Sequence, residues 1–169
     1  IEGLFLESPG TLNLKLLDHN DAVIAKANPM VVAESEVAHF WSDMHAQSGE
    51  TIGVGTAREY FEFARNKAFV DIAGHQGNDF QITDAFWKHL NELTVEFNEP
   101  GRFLTIPGYE WSGNTGLGGD RNVYFASEGH TIRRSSHALV SDHSDIGTDC
   151  NSASELFTAF AKNNEEDVV

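Results

Sequence analysis

The period of the hydrophobic pattern changes along this chain, and the change divides it in two. From Thr11 to Leu17, apolar Leu12, Leu14 and Leu16 alternate with polar neighbours, the period-two signature of a half-buried strand. Asp18-His19-Asn20-Asp21 then offers turn chemistry before the apolar Ala22-Val23-Ile24-Ala25, so residues 11–25 predict a hairpin. Met30-Val31-Val32-Ala33 predicts a further strand. Residues 1–35 therefore read as a short antiparallel β segment.

From residue 36 to 169 the pattern becomes strands alternating with helices. Residues 37–42 are strand-like. Thr56-Ala57-Arg58-Glu59 is a capping box opening a helix with Tyr60, Phe61 and Ala64 on its apolar side. Residues 68–73 predict the next strand. Thr83 caps a helix in which Phe86, Leu90, Leu93 and Phe97 recur at helical spacing, closed by Glu99-Pro100-Gly101. Residues 103–106 and 122–125 predict two more strands. Ser152-Ala153-Ser154-Glu155 is a second capping box, starting a helix with Leu156, Phe157 and Phe160, and the acidic Glu165-Glu166-Asp167 reads as a frayed tail. Such alternation argues for a parallel sheet or barrel rather than a sandwich. Between the third and fourth of these strands, residues 112–120 are too glycine-rich to be helical.

Three of the strand-like runs are followed at once by metal-liking side chains: Trp41-Ser42-Asp43-Met44-His45, Asp71-Ile72-Ala73-Gly74-His75 and Pro107-Gly108-Tyr109-Glu110. Successive motifs lie about one strand-plus-helix unit apart, which places each at the carboxyl end of a parallel strand. A β/α barrel gathers its catalytic groups there. Imidazole and carboxylate together suit zinc, iron or manganese.

Composition narrows this reading. With 169 residues, 40% of them hydrophobic and 12 of them Phe, the chain can bury one core, but a whole β/α barrel takes about 250 residues. The expectation is a fragment of a longer protein. A formal net charge of −15, from 11 Lys and Arg against 26 Asp and Glu, repels polyanions, so nucleic acid is not an expected partner. An acidic field also concentrates divalent cations. Cys150 is the single cysteine, which rules out an intrachain disulfide and a thiolate-rich zinc site. No apolar run approaches the roughly 20 residues of a membrane span, and a soluble protein is expected. There is no GxSxG nucleophile elbow, and Ser48 has no evident base, which argues against a serine hydrolase.

The motifs Trp41-Ser42-Asp43-Met44-His45-Ala46-Gln47-Ser48-Gly49-Glu50-Thr51, Ala73-Gly74-His75-Gln76-Gly77-Asn78-Asp79-Phe80, Pro107-Gly108-Tyr109-Glu110-Trp111 and Gly119-Asp120-Arg121-Asn122-Val123 resemble the amino-terminal half of the PHP (polymerase and histidinol phosphatase) superfamily of metal-dependent hydrolases, in particular a bacterial subgroup of unknown function. The resemblance spans roughly residues 38 to 160. It implies the amino-terminal portion of a distorted β/α barrel, preceded here by the antiparallel segment, with divalent metals at the strand ends activating water for phosphoester hydrolysis. Position by position, it implies Asp43, His45, His75 and Glu110 as metal ligands. Two departures stand out: Gln47 where the first motif continues to another His, and Gly74 where the second has Asp. A neutral amide is a weaker ligand than imidazole, so weak occupancy is expected, with Asp79 or Asp120 as substitute carboxylates. His137 and His143 are further candidates. Arg121 or Arg58 would hold a small anionic substrate by a bidentate contact. A truncated barrel also leaves a sheet edge to be covered, by self-association or by the missing half. The rival expectation is a non-catalytic metal- or ligand-binding module on the same scaffold.

Overall fold

A computed structural model describes residues 7–34, 37–113, 116, 119–162 and 168–169. They fall into two compact units, divided between His39 and Phe40. In the first unit, β1 (Gly10–Leu12) pairs antiparallel with β4 (Met30–Val32), and β2 (Lys15–Leu17) with β3 (Val23–Lys26). The β2–β3 hairpin turns through Asp18, whose Oδ1 accepts from the backbone N–H groups of Asn20 and Ala22. A short aspartate closing its own turn is the reason such residues punctuate strands.

The second unit starts with β5 (Ser42–Ala46), then α1 (Ala57–Phe63), β6 (Ile72–His75), α2 (Asp84–Phe97) and β7 (Leu104–Ile106). The three strands form one parallel sheet in the order β5-β6-β7. The Thr56–Glu59 capping box is formed, and α1 runs on into a π-helical turn, Ala64–Ala68, that ends at Phe69 with φ of 54°. Thr83 caps α2 by accepting from the Phe86 N–H. The core packs Phe61, Trp87, Leu90, Leu93 and Phe97 from these helices against Ala73, Phe103, Tyr109, Trp111 and Phe125. Fourteen residues of α2 present that apolar stripe inward and leave Lys88, Glu92 and Glu96 in water, the usual division of an amphipathic helix.

Beyond β7 the topology departs from expectation. Pro107 is followed directly by β8 (Gly108–Trp111), and β9 (Arg121–Tyr124) returns antiparallel to it before α3 (Ala153–Lys162). The expected amino-terminal portion of a PHP-type distorted barrel is therefore overturned: the described residues form small separate sheets and three α-helices, with no closed barrel. The physical reason lies in the connections, because a parallel strand needs a crossover of a dozen or more residues while a hairpin does not. No helix separates β7 from β8, and the glycine-rich 112–120 stretch is the hairpin loop. Its residues 114, 115, 117 and 118 lie outside the described residues, as does the acidic 165–167 tail. The first strand of the unit is also displaced, from the expected 37–42 to Ser42–Ala46. Val37, Phe40 and Trp41, the large apolar residues of that run, are exposed.

Candidate functional site around Glu110

Strand alternation assigns the two faces of the β8–β9 hairpin. Register pairs Gly108 with Tyr124, Tyr109 with Val123, Glu110 with Asn122 and Trp111 with Arg121. Directly opposed residues share a face and neighbours take opposite ones. Tyr109, Trp111 and Val123 are buried in the core. Gly108, Glu110, Asn122 and Tyr124 make up the other face, which looks toward β5, since the Tyr124 hydroxyl donates to the Met44 carbonyl over 2.5 Å.

His45 reaches this face because β5 is irregular. Asp43 opposes Ala73 and Ala46 opposes His75, so three steps along β5 match two along β6. A bulge of this kind re-aims side chains and is common beside functional sites. His45 Nε2 lies 3.7 Å from Glu110 Oε2, with the imidazole half-exposed and the carboxylate largely enclosed. Asn78 Nδ2 donates to Glu110 Oε2 over 2.7 Å and Gln47 Nε2 over 3.3 Å. Gln47 is itself held by the Thr51 hydroxyl, which donates to Oε1 over 2.6 Å. Burial pushes the Glu110 pKa up, His45 and the Asn78 hydrogen bond pull it down, and Asp120 and Asp79 push it up again; the net direction is upward. A carboxyl raised by burial is a frequent mark of chemistry.

Asp79 fastens the surroundings. It is buried, and it accepts from the backbone N–H of Ser112 at 2.9 Å, the backbone N–H of Ser135 and the Ser135 hydroxyl at 3.2 Å. Burial raises its pKa in spite of these donors. Ser112 Oγ accepts in turn from Asn78 Nδ2 at 2.9 Å, so Glu110, Asn78, Ser112, Asp79 and Ser135 form one hydrogen-bonded network.

The sequence candidates separate. His45 and Glu110 are together. Asp43 sits two residues earlier on β5, exposed, with Oδ1 accepting from the His45 N–H at 3.4 Å. His75 is fully buried and both its nitrogens are engaged: the Gly77 N–H donates to Nδ1 at 3.2 Å, and Nε2 lies 2.8 Å from Ser48 Oγ. Burial lowers its pKa to about 4, partly offset by the charge of Glu50. A neutral ring accepting at Nδ1 carries its hydrogen on Nε2, so His75 donates to Ser48 and has no lone pair left for a metal in this arrangement. Ser48 hydrogen-bonds onward to Glu50, whose carboxylate accepts from the Ala57 N–H at the start of α1. Arg121 shares the Trp111 face rather than the Glu110 face, and its Nη1 donates to the Asp120 carbonyl over 2.7 Å. Arg58 is spent on a bidentate surface pair with Glu96, both contacts at 2.6 Å.

His137 and His143 lie elsewhere, and their rings stand edge to face at 5.4 Å. His137 is enclosed, with Nδ1 2.8 Å from Asp149 and Nε2 2.8 Å from Asp145. The carboxylates flank opposite edges of the ring, so they clamp an imidazolium rather than share a metal with it. Arg134, also buried, adds contacts to Asp145, Asp84 and the Ile82 carbonyl. Among the described residues no group of three or more His, Cys, Asp or Glu is gathered as a metal site. Asn78, Ser112 and Asn122 escaped the sequence reading. A signal was present in Tyr109-Glu110-Trp111, where a carboxylate interrupts a buried strand; Asn122, exposed on β9, is marked only by its pairing with Glu110.

The chain belongs to the family described as a protein of unknown function, DUF3604, which matches residues 17–167. It is similar to an uncharacterised protein of Chlamydia pneumoniae, 25% identical over 150 residues that make up 86% of this chain and 23% of that protein. The chain thus spans less than a quarter of the length of the curated relative it matches. No solved structure matches it. No helix among the described residues is long and apolar enough to cross a membrane.

Proposed function

We propose that the chain supplies part of a divalent-metal hydrolase centre built on His45 and Glu110, acting on a phosphoester. The observation that carries this reading is the 3.7 Å between His45 Nε2 and Glu110 Oε2. Metal–nitrogen and metal–oxygen bonds near 2.1 Å at a tetrahedral angle put two ligand atoms about 3.4 Å apart, so a cation fits between them once it displaces the longer of the two hydrogen bonds that Oε2 accepts, the 3.3 Å contact from Gln47. A bound cation would supply a water made acidic enough to ionise near neutral pH and would polarise the scissile oxygen. Asn78 fixes the Glu110 carboxylate through its 2.7 Å hydrogen bond, as outer groups around metal ligands do. Asp43 is the nearest further carboxylate on β5. Two strong ligands hold a metal weakly, and remaining ligands would come from parts of the longer protein.

A second reading, a non-catalytic binding module, is favoured by His75 having both nitrogens engaged. Manganese titration of the chain by calorimetry separates the possibilities, together with phosphodiester turnover by the full-length protein. Weak manganese binding that disappears in His45→Ala and Glu110→Ala, with turnover in the longer protein lost in the same variants, supports the hydrolase. Binding without turnover across phosphomonoester, phosphodiester and carboxylic-ester panels supports the module.

A further inference from the structure

Glu110 is the middle of a three-strand row of polar side chains. On one side the chain just beyond β6 runs parallel to β8, with a bridge between Asn78 and Glu110 and the Glu110 N–H donating to the Gly77 carbonyl over 2.9 Å. On the other side β9 places Asn122 directly opposite Glu110. Opposed residues hold their Cβ atoms about 5 Å apart on one face. The two asparagines have different employment. Asn78 is buried and gives both amide hydrogens to its neighbours, one to Glu110 Oε2 and one to Ser112 Oγ. Asn122 is exposed, and among the described residues its side chain makes no hydrogen bond. Arg121, the neighbouring cation, shares the face of Trp111.

We propose that the Asn122 amide donates to a phosphoryl oxygen of the ligand bound beside Glu110 and so orients it for reaction. The inference rests on the metal reading above, because an oxyanion approaches the Glu110 carboxylate only with a cation between them. A neutral amide suits the position: it offers a donor without competing for the cation, whereas a carboxylate there would repel the ligand. Asn122 thus takes the orienting role that an arginine would otherwise fill, at the point where strand register denies Arg121 access.

The test uses manganese and inorganic phosphate as probes. Manganese affinity is measured by calorimetry, and phosphate affinity of the manganese-loaded chain by paramagnetic broadening of its phosphorus resonance, a readout that also locates phosphate next to the metal. Asn122→Thr keeps a good strand residue on an exposed position and removes the amide; it should weaken phosphate about tenfold, the worth of one hydrogen bond to a charged group, with manganese affinity unchanged. Asn122→Asp should abolish phosphate binding without weakening manganese, and Arg121→Gln should alter neither. Unchanged phosphate affinity in Asn122→Thr, or no broadening of phosphate by the manganese-loaded wild-type chain, overturns the inference while leaving the metal reading standing. Absence of manganese binding in the wild type removes the metal reading and this inference with it.

Discussion

His75 gives its Nε2 hydrogen to Ser48 Oγ across 2.8 Å while the Gly77 N–H occupies Nδ1. Protonating the ring would place an N–H against that amide hydrogen, and burial already holds the pKa at about 4, below the unfolded value of about 6.5. A base with a depressed folded pKa contributes stability that is complete above the unfolded pKa and is lost as the pH falls toward the folded one. The expected loss between pH 7 and pH 4 from this group is about 3 kcal/mol. His75→Gln can keep the hydrogen bond to Ser48 but cannot titrate. Urea unfolding of both proteins at half-unit pH steps should show a shallower acid decline in the variant; parallel curves would show that His75 is not the acid-sensitive group.

His137 should behave in the opposite sense. Burial disfavours its charge, but hydrogen bonds to Asp149 and Asp145 outweigh that and raise its pKa. Its stabilising effect is therefore full below about pH 6.5 and is lost as the pH rises through the higher folded value. Backbone amides of residues 131–150 should exchange faster with solvent deuterium, after correction for intrinsic rates, as the solution is made alkaline. Removing one member of an enclosed ion pair costs about 3 kcal/mol, the destabilisation expected for His137→Ala at pH 6. An exchange pattern indifferent to pH in this segment would count against the clamp.

Metal affinity at the Glu110 site carries its own pH signature. Manganese needs the ionised carboxylate, and the Glu110 pKa is raised, chiefly by burial. Binding should therefore weaken as the pH descends, beginning above the ordinary glutamate range of about 4.3. Asn78→Ala takes away a donor that favours the charged form and should weaken manganese by about tenfold at pH 7. Calorimetric titrations at several pH values measure both effects, and a tighter complex in acid would contradict the assignment.

Gly108 offers a purely structural check on the hairpin. A Cβ at this position would run into the Val123 carbonyl oxygen, which is backbone, and the amide of buried Gln76, which is held by its hydrogen bonds to the His75 and Val123 carbonyls. Gly108→Ala should destabilise the fold by about 2 kcal/mol, read as a lowered urea midpoint, with the β8–β9 pairing disturbed first. Gly101→Ala is the comparison: open space surrounds its Cβ position and only the positive φ of 82° is strained.

Local chemistry was legible in the sequence and long-range partnership was not. The Thr56–Glu59 box, the Thr83 cap and the Phe86 to Phe97 stripe are signals confined to a few residues, and they lie where the helices form. His45 and Glu110 were picked out by residue type and motif, and they meet. His75 was picked out on the same grounds, yet its surroundings, Phe86, Tyr60 and Ser48, come from three separate segments that no local pattern joins. The turn from parallel sheet to hairpin after β7 is hidden in the sequence because β8 is four residues long with Glu110 among them and looks like the tail of a motif, and only pairing with β9 reveals it as a strand. Arg121 and Asn122 are adjacent in sequence, so the choice between them depends on register alone.

The Asp79 clasp bears on how the protein is born. Its carboxylate joins segments that leave the ribosome far apart in time: Ser112 follows 33 residues later and Ser135 follows 56 residues later. The β5-β6-β7 sheet with its two crossover helices can condense first, from contacts of shorter reach. Until residue 135 has emerged, the Asp79 carboxylate has no Ser135 to close on, the Ser112 end of the hairpin is held from one side, and Asn78 has lost part of what aims it at Glu110. Translation therefore delivers a scaffold before it delivers a site, and a nascent chain halted before residue 135 should bury its helices while its Glu110 environment is still forming.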